Sequence, residues 1–332
     1  MSALIVGLGS IGRRHLSNLT QLEPDLNVTV WHQHSSPNDH AADYAARPVH
    51  HVFNVRDALK AKPRFALITG PASVHVETAL ELAGRDIHLL IEKPLSNRLE
   101  GIDLLVALCR EKKCALLVGY NYRFYPPLQA MRQAIDDGRI GRVLSVRAEV
   151  GQYLADWRPG VDYRQTVSAR SELGGGALLE LSHEIDYVRW LAGEITEVSA
   201  RIGHVSDLEL DVEDTAEITL AFASGAIGSI HLDMVQRAPT RTCKVIGTTG
   251  TLIWDGIRHH VRLYSSETSQ WADVSAPSVR DRNESYRAEL RHFLDCVAGK
   301  ATPAVTGEEG RRVLQIVLAA RRSAMDCRVV TV

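Results

Sequence analysis

The sequence predicts an α/β protein in two parts: a doubly wound parallel sheet first, then an α+β domain with an open, mainly antiparallel sheet. Three observations predict it. Short apolar runs alternate with helical stretches over residues 1–120, the pattern of strands joined by crossover helices. A glycine-rich turn, Gly7-Leu8-Gly9-Ser10-Ile11-Gly12, follows the first run directly. From Val143 to Val150 the pattern changes to strict alternation, the period of a strand with one covered face. The boundary is expected between residues 122 and 123, with 123–332 as the second domain and its C-terminal helix free to pack back on the first.

The chain has 332 residues, which suits two cores rather than one. Apolar residues make up 45% and charged residues 23%, the balance of a globular protein, and the formal charge is −2. With no basic run, neither nucleic acid nor an anionic membrane is expected as a partner. No apolar run approaches the roughly 20 residues that span a bilayer, and no leader precedes the first strand, so the expected location is cytoplasmic. Cys109, Cys114, Cys243, Cys296 and Cys327 are odd in number and form no C-x-x-C, so no disulfide framework and no metal site is expected.

In the first domain, Ala3-Leu4-Ile5-Val6 reads as a strand and Arg13 to about Leu22 as a helix. Strand, G-x-G-x-x-G and helix together are the context in which glycines let the backbone approach a pyrophosphate at a helix N-terminus, so Gly7, Gly9, Ser10, Ile11 and Gly12 are candidate dinucleotide contacts. The second strand, Val28 to Trp31, is followed by His32-Gln33-His34-Ser35-Ser36, where an NAD site would usually carry an acid for the ribose. His32 and Ser35 could bond a 2′-phosphate, which gives NAD(P)(H) with a slight lean to NADP(H). Phe65 to Thr69 is the next strand, turned by Gly70-Pro71-Ala72-Ser73 into a helix from Val74 to Ala83. His75, in its first turn, is read equally as facing the cofactor or as a partly exposed polar residue. Ile87 to Ile91 then delivers Glu92-Lys93-Pro94 to a strand end, where open α/β sheets bind ligands. A helix from Ser96 or Asn97 to about Lys112 and a strand from Cys114 to Gly119 complete the sheet.

The second domain opens with a helix from Leu128 to Asp137 and the alternating strand from Val143. The polar loop from Gly151 to Leu173 carries Tyr153, Trp157, Tyr163 and Arg164. A structureless loop of this length either binds something, here stacking on a sugar ring and holding hydroxyls or phosphate, or serves as an interface arm. Gly174-Gly175-Gly176 leads into a single helix expected from Ala177 to Leu191, on which Glu180, His183 and Asp186 share a face. Read from the residues alone, His183 is a satisfied core histidine. Strands are expected at Val198–Val205, Asp214–Phe222, Ala226–Met234, Thr242–Ile246 and Thr251–Trp254, then helices at about Glu284–Ala298 and Glu308–Met325. The free face of such a sheet suits a homodimer or homotetramer.

The opening G-x-G-x-x-G, the segment from Thr69 and Pro71 to His75, Glu92-Lys93-Pro94, Gly119-Tyr120-Asn121-Tyr122-Arg123-Phe124, and Gly174-Gly175-Gly176 with His183 and Asp186 occur in one order. Together they resemble the Gfo/Idh/MocA oxidoreductase family over nearly the whole chain. The resemblance implies a Rossmann domain binding NAD(P)(H) with Thr69, Pro71, His75, Glu92 and Lys93 at the cofactor, and a substrate domain in which Arg123, His183 and Asp186 join the loop residues at the substrate. It implies catalysis by Lys93 and His183, with Glu180 as the acid one turn before the histidine. In the family that acid is an Asp four residues ahead; here Glu180 lies three ahead.

A nicotinamide reaction needs one acid/base at the oxygen of the reacting carbon. His183 is assigned to proton transfer and Lys93 to orienting the hydroxyl and sharing the proton, with the formal base open between them. The expected function is hydride transfer between nicotinamide and a CH–OH carbon of a sugar, polyol or nucleotide sugar, in a pattern similar to bacterial members of surface-sugar biosynthesis. The alternatives are a redox glycosidase that recycles its cofactor and a non-catalytic, cofactor-binding regulator.

Overall fold

The computed structural model describes residues 2–33, 49–274, 276, 278–279 and 281–332. It divides into two compact units, Met1–Asn121 with Asn283–Arg311, and Tyr122–Arg282 with Arg312–Val332. Residues 283–311, placed by the sequence reading in the second domain, therefore cluster with the first.

The first unit is built on β1 (Ser2–Val6), α1 (Ser10–Leu22), β2 (Asn27–Trp31), β3 (His50–Val52), α2 (Val55–Lys60), β4 (Phe65–Ile68), α3 (His75–Ala83), β5 (His88–Glu92), α4 (Ile102–Glu111) and β6 (Leu116–Gly119). The strand order is β3-β2-β1-β4-β5-β6, and every neighbouring pair is parallel. β4 and β6 are buried throughout, which is why they read as continuous apolar runs rather than alternating ones. The order reverses between β1 and β4, the switch point where such sheets bind ligands.

Two elements of this unit had no apolar signal. β3 is His-His-Val at the sheet edge, and α2 is a short polar helix whose start is fixed by Asn54, its Oδ1 accepting the Asp57 N–H at 2.9 Å. A third differs in extent: α4 begins at Ile102, not at Ser96 or Asn97. Gly101 has φ 81°, and a Cβ there would lie 2.9 Å from Val76 Cγ1, so the chain turns against α3 before the helix starts.

The second unit contains α5 (Pro126–Asp136), β7 (Val143–Gly151), α6 (Ala177–Glu180), α7 (His183–Ala192), β8 (Ile195–Gly203), β9 (Thr215–Phe222), β10 (Ile227–Asp233), β11 (Thr240–Gly247), β12 (Gly250–Asp255), β13 (His260–Ser265) and β14 (Gln270–Asp273). The chain then supplies α8 (Glu284–Val297), α9 (Gly307–Asp326) and β15 (Val330–Thr331). The second sheet has nine strands in the order β14-β13-β12-β11-β7-β10-β9-β8-β15. It is antiparallel except for β7 and β10, which run parallel. β9 shows the logic of its two faces: Ala216, Ile218, Leu220 and Phe222 are buried, while Glu217 and Thr219 are exposed. α7 lies against β7 and α5. Fully buried Trp254 is met edge-on by Tyr122, Tyr125 and Tyr187 at 5.9, 5.7 and 5.6 Å between ring centres.

The single helix expected over Ala177–Leu191 is broken. α6 ends at Glu180, Leu181 leaves helical geometry at φ −101° and ψ 24°, and α7 starts at His183. The Glu184 N–H is donated to the Leu181 carbonyl, three residues back, which marks the offset between the two helices. Neither Gly nor Pro stands at the break, so periodicity could not reveal it. β13 and β14 were not foreseen either; all four β14 residues are exposed and supply no apolar face.

α8 returns to the first unit and packs on α1. Asn18 and Asn283 exchange side-chain amide hydrogen bonds of 3.0 and 2.7 Å, and Asn121 donates to Ser285 at 2.7 Å. Among the described residues the cysteines are free thiols; burial pushes Cys109 up to about 12. Among those residues no helix is long and apolar enough to cross a membrane.

Candidate cofactor turn, catalytic lysine and histidine helix

In the first unit, Gly7, Gly9 and Gly12 meet three different surroundings. Gly7 has φ 88°, and a Cβ on it would lie 3.1 Å from the Gly70 nitrogen. Gly12 is closed off more tightly, since a Cβ would stand 2.3 Å from the Gly7 carbonyl oxygen and 2.7 Å from Thr69 Oγ1. Gly9 faces open space, with nothing within 4 Å. One glycine makes the turn, one lets helix and strand close, and one leaves room for a ligand's backbone approach, which is the division of labour a pyrophosphate cradle requires. No side chain caps α1 at Gly9, so its first N–H groups, beginning at Ser10 and Ile11, are not claimed by a capping oxygen. The residues present fit a dinucleotide.

These surroundings make a direct contrast. Gly12→Ala forces backbone atoms apart and is expected to destabilise by about 1–3 kcal/mol and to abolish NADH binding. Gly9→Ala is expected to fold like the wild type yet bind NADH at least ~10-fold more weakly, because its methyl occupies the approach path. Urea unfolding and fluorescence titration read the two effects; wild-type affinity in Gly9→Ala would remove the pyrophosphate assignment.

Several residues expected at the cofactor make hydrogen bonds within the scaffold. Thr69 Oγ1 donates toward the Val6 and Gly7 carbonyls at 3.0 and 2.8 Å, bracing the glycine turn. Pro71 leads the short turn Ala72–Val74 into α3. His75 is buried, its Nδ1 3.0 Å from the Pro94 carbonyl and its Nε2 2.9 Å from the Gly70 carbonyl, so it ties the turn after β4 to the turn after β5. Burial holds its pKa below the ordinary histidine range. His32 is also buried, its Nε2 2.8 Å from His51 Nδ1. Ser35 lies outside the described residues.

Lys93 follows β5 directly, and the Lys93–Pro94 bond is cis. Val6, Ile68 and Ile91 stand in register across β1, β4 and β5, so Gly7, Thr69 and Glu92 lie together at the carboxyl ends of neighbouring strands and Lys93 lies one residue beyond. Glu92 Oε1 contacts His15 Nε2 at 2.7 Å, and its Oε2 accepts the Lys93 N–H at 3.2 Å. His15 escaped the sequence reading, although its place on α1 with Gly12, Leu16 and Leu19 puts it on the buried helical face.

In the second unit, His183 is the first residue of α7 and is nearly buried. Glu180, on the other side of the break, accepts a hydrogen bond from Ser168 Oγ at 3.0 Å. Because the helix breaks between them, the two residues do not share a helical face. The glycines before them are packed too: a Cβ on Gly175 would stand 2.3 Å from the Val167 carbonyl oxygen, and one on Gly176 would stand 2.5 Å from the Glu213 carboxylate. His183 meets the edge of the Tyr122 ring, centres 4.9 Å apart, and the Tyr122 hydroxyl accepts from Arg241. Arg241 also pairs with buried Glu184 at 2.8 Å. Burial raises the Glu184 carboxyl pKa while Arg241 opposes the rise. Sequence reasoning assigned no role to Tyr122, Glu184 or Arg241; the charged pair joins helix to strand across 57 positions of chain.

Arg123 and Asp186, predicted at the substrate, pair with each other. Nε and Nη2 of Arg123 donate to the two Asp186 oxygens, both at 2.8 Å, with side chains 8% and 0% exposed. Such a two-point pair, with Trp190 under the guanidinium at 5.1 Å, ties the start of the unit to α7. In the polar loop, four short helical turns replace the expected irregular chain. Trp157 and Tyr163 line a small pocket with Leu154, Arg158 and Ser168. Arg164 is salt-bridged to Asp162 at 2.8 Å, and Tyr153 lies 3.6 Å below the Arg237 guanidinium.

Comparison with known proteins gives two matching family models. Residues 1–120 match an oxidoreductase family's NAD-binding Rossmann fold, and residues 132–332 match that family's C-terminal alpha/beta domain. Myo-inositol 2-dehydrogenase of Thermotoga maritima is 26% identical, the alignment covering 98% of this chain and 97% of that one. UDP-N-acetylglucosamine 3-dehydrogenase of Acidithiobacillus ferrooxidans is 25% identical over 96% and 95%. Among solved structures, levoglucosan dehydrogenase in complex with NADH superposes with a TM-score of 0.88 at 22% identity, over 100% of this chain and 99% of that one.

Proposed function

The chain belongs to the Gfo/Idh/MocA oxidoreductase family, and from that premise we propose that it oxidises or reduces one CH–OH carbon of a sugar, polyol or nucleotide sugar in carbohydrate or surface-sugar biosynthesis. The observation that carries this reading is that the open Gly9 turn and Lys93 both lie at the carboxyl end of the same parallel sheet. When bound, the nicotinamide supplies or accepts the hydride. The protein's part is the proton and the geometry. Lys93 Nζ orients the reacting hydroxyl and shares its proton, and the His183 imidazole transfers that proton. Trp157 and Tyr163 give the sugar ring aromatic surfaces to stack on.

The test is a fluorescence titration of nucleotide-stripped protein with NADH and NADPH, followed by myo-inositol, levoglucosan and UDP-N-acetylglucosamine with the oxidised cofactors. Binding of a reduced cofactor and oxidation of a panel compound are expected. Binding without net turnover points to the redox glycosidase, binding with no hydride exchange to the regulator, and failure of both cofactors to bind refutes the reading. A clear preference for NADH removes the lean to NADP(H).

The same reading includes a homodimer or homotetramer through the open sheet, whose outward Arg147, Glu217, Thr219 and Lys244 are exposed. Light scattering at micromolar concentration is expected to give twice or four times the chain mass, and a monomer would defeat this part.

A further inference from the structure

We propose that His15 is a positioning residue for Lys93, acting through the Glu92 carboxylate. The inference rests on the reading of Lys93 given above. His15 is wholly buried on α1, three residues after Gly12, so the helix that starts at the nucleotide turn also carries it. Its Nε2 meets Glu92 Oε1 at 2.7 Å, and the other carboxylate oxygen takes the main-chain N–H of Lys93 at 3.2 Å. The glutamate folds back on its own neighbour, and the histidine fixes it there.

Two further features serve this arrangement. Gly119, at the end of β6, leaves room for the carboxylate; a Cβ would sit 3.1 Å from both Glu92 Oε2 and Glu92 Cα. Buried Glu289 of α8 brings a third titratable side chain, its nearest ligand atom within 4.8 Å of those of His15 and Glu92. Tyr286, one turn earlier on α8, covers the His15 ring edge-on at 6.2 Å between centres. An imidazole and two carboxylates are a demanding set to enclose, and the Glu92 carboxylate bonds the backbone of the one lysine expected to do chemistry. On the other side of Lys93, His75 meets the Pro94 carbonyl from α3. Both helices begin at turns expected to hold the cofactor, so the lysine is aimed by the same elements.

The test compares His15→Ala with His15→Gln, whose amide nitrogen reproduces the reach of Nε2. With the three panel compounds named above, His15→Ala is expected to lower kcat by roughly 10- to 100-fold, since small misplacements of reacting groups have effects of that order. The NADH dissociation constant is expected to stay close to wild type, and His15→Gln to recover most of kcat. A second readout needs no cofactor: the rate at which trinitrobenzenesulfonate modifies Lys93 in the stripped protein, followed by peptide mass spectrometry against exposed Lys60. That rate is expected to change several-fold in His15→Ala and to return in His15→Gln. If His15→Ala does not fold, Glu92→Ala and Glu92→Gln make the same comparison, because the amide can still accept the Lys93 N–H.

Wild-type kcat and wild-type Lys93 modification in His15→Ala overturn the proposal. So does a loss of NADH affinity that accounts for the whole effect. Lys93→Ala separates the two levels: if it turns over at the wild-type rate, the reading of Lys93 fails; if it is dead while His15→Ala is unimpaired, only the positioning role fails.

Discussion

Lys93→Ala is expected to lower kcat by ~10²-fold or more, the usual size of a lost acid/base or orienting contribution, while leaving NADH binding within a few-fold of wild type. The separation follows from where the lysine stands. Its amine is one side chain beyond the end of β5, whereas the glycine turn that would take the pyrophosphate is braced by Thr69 and closed by Gly12 without its help. Removing the amine leaves that turn and the Glu92 carboxylate in place. Steady-state kinetics on the substrate found in the panel, set beside the fluorescence titration, give both quantities. A Lys93→Ala enzyme with wild-type kcat would refute the assignment, and one that lost cofactor binding in the same proportion would move Lys93 from the chemistry to the cofactor.

The largest effect on stability is expected from Asp186→Ala. The substitution leaves the Arg123 guanidinium, 8% exposed and bonded at two points to Asp186, without that carboxylate. Breaking a buried pair from one side typically destabilises by ~3–5 kcal/mol, while replacing both partners by apolar residues of similar volume is often near neutral. Asp186→Ala is therefore expected to unfold the second unit at markedly lower denaturant, and Arg123→Met with Asp186→Leu to restore most of the loss. Urea titration followed by tryptophan fluorescence measures this, since Trp190 lies against the pair and Trp254 in the same unit's core. A small change in Asp186→Ala would mean that another group takes over the guanidinium.

The same pair shows what the sequence could and could not reveal. The periodicity of Leu178 to Leu191 placed Asp186 on a buried face, and Arg123 stood in a recognisable run. That the two meet depends on chain folding over 63 positions, which no local pattern encodes. Strands β1, β4, β5 and β6 were legible because burial on both faces demands unbroken apolar runs. β3 and β14 were not, because edge strands need no such run; β13 pairs on both sides, and with only Val261 and Leu263 buried its alternation is too short to stand out. The break between Glu180 and His183 was equally hidden, since the residues across it favour a helix and the tertiary hydrogen bond of Ser168 to Glu180 has no signature in the order of residues. His15 was visible as a polar residue on an apolar stripe, but the partner that gives it meaning, Glu92, lies 77 positions away.

The return of α8 to the first unit has a consequence in the time order of synthesis. Residues 1–121 leave the ribosome before the 161 residues from Tyr122 to Arg282, and α8 follows only after them. At about 5–20 residues per second, the nascent nucleotide fold waits roughly 10–30 s for its last helix. During that interval Asn18 has no Asn283 to bond, Asn121 has no Ser285, and the face of α1 that α8 will cover stands in water. The early-made unit is thus completed late, and a chain cut short after Arg282 would carry every strand of the first sheet and still lack the helix that covers α1.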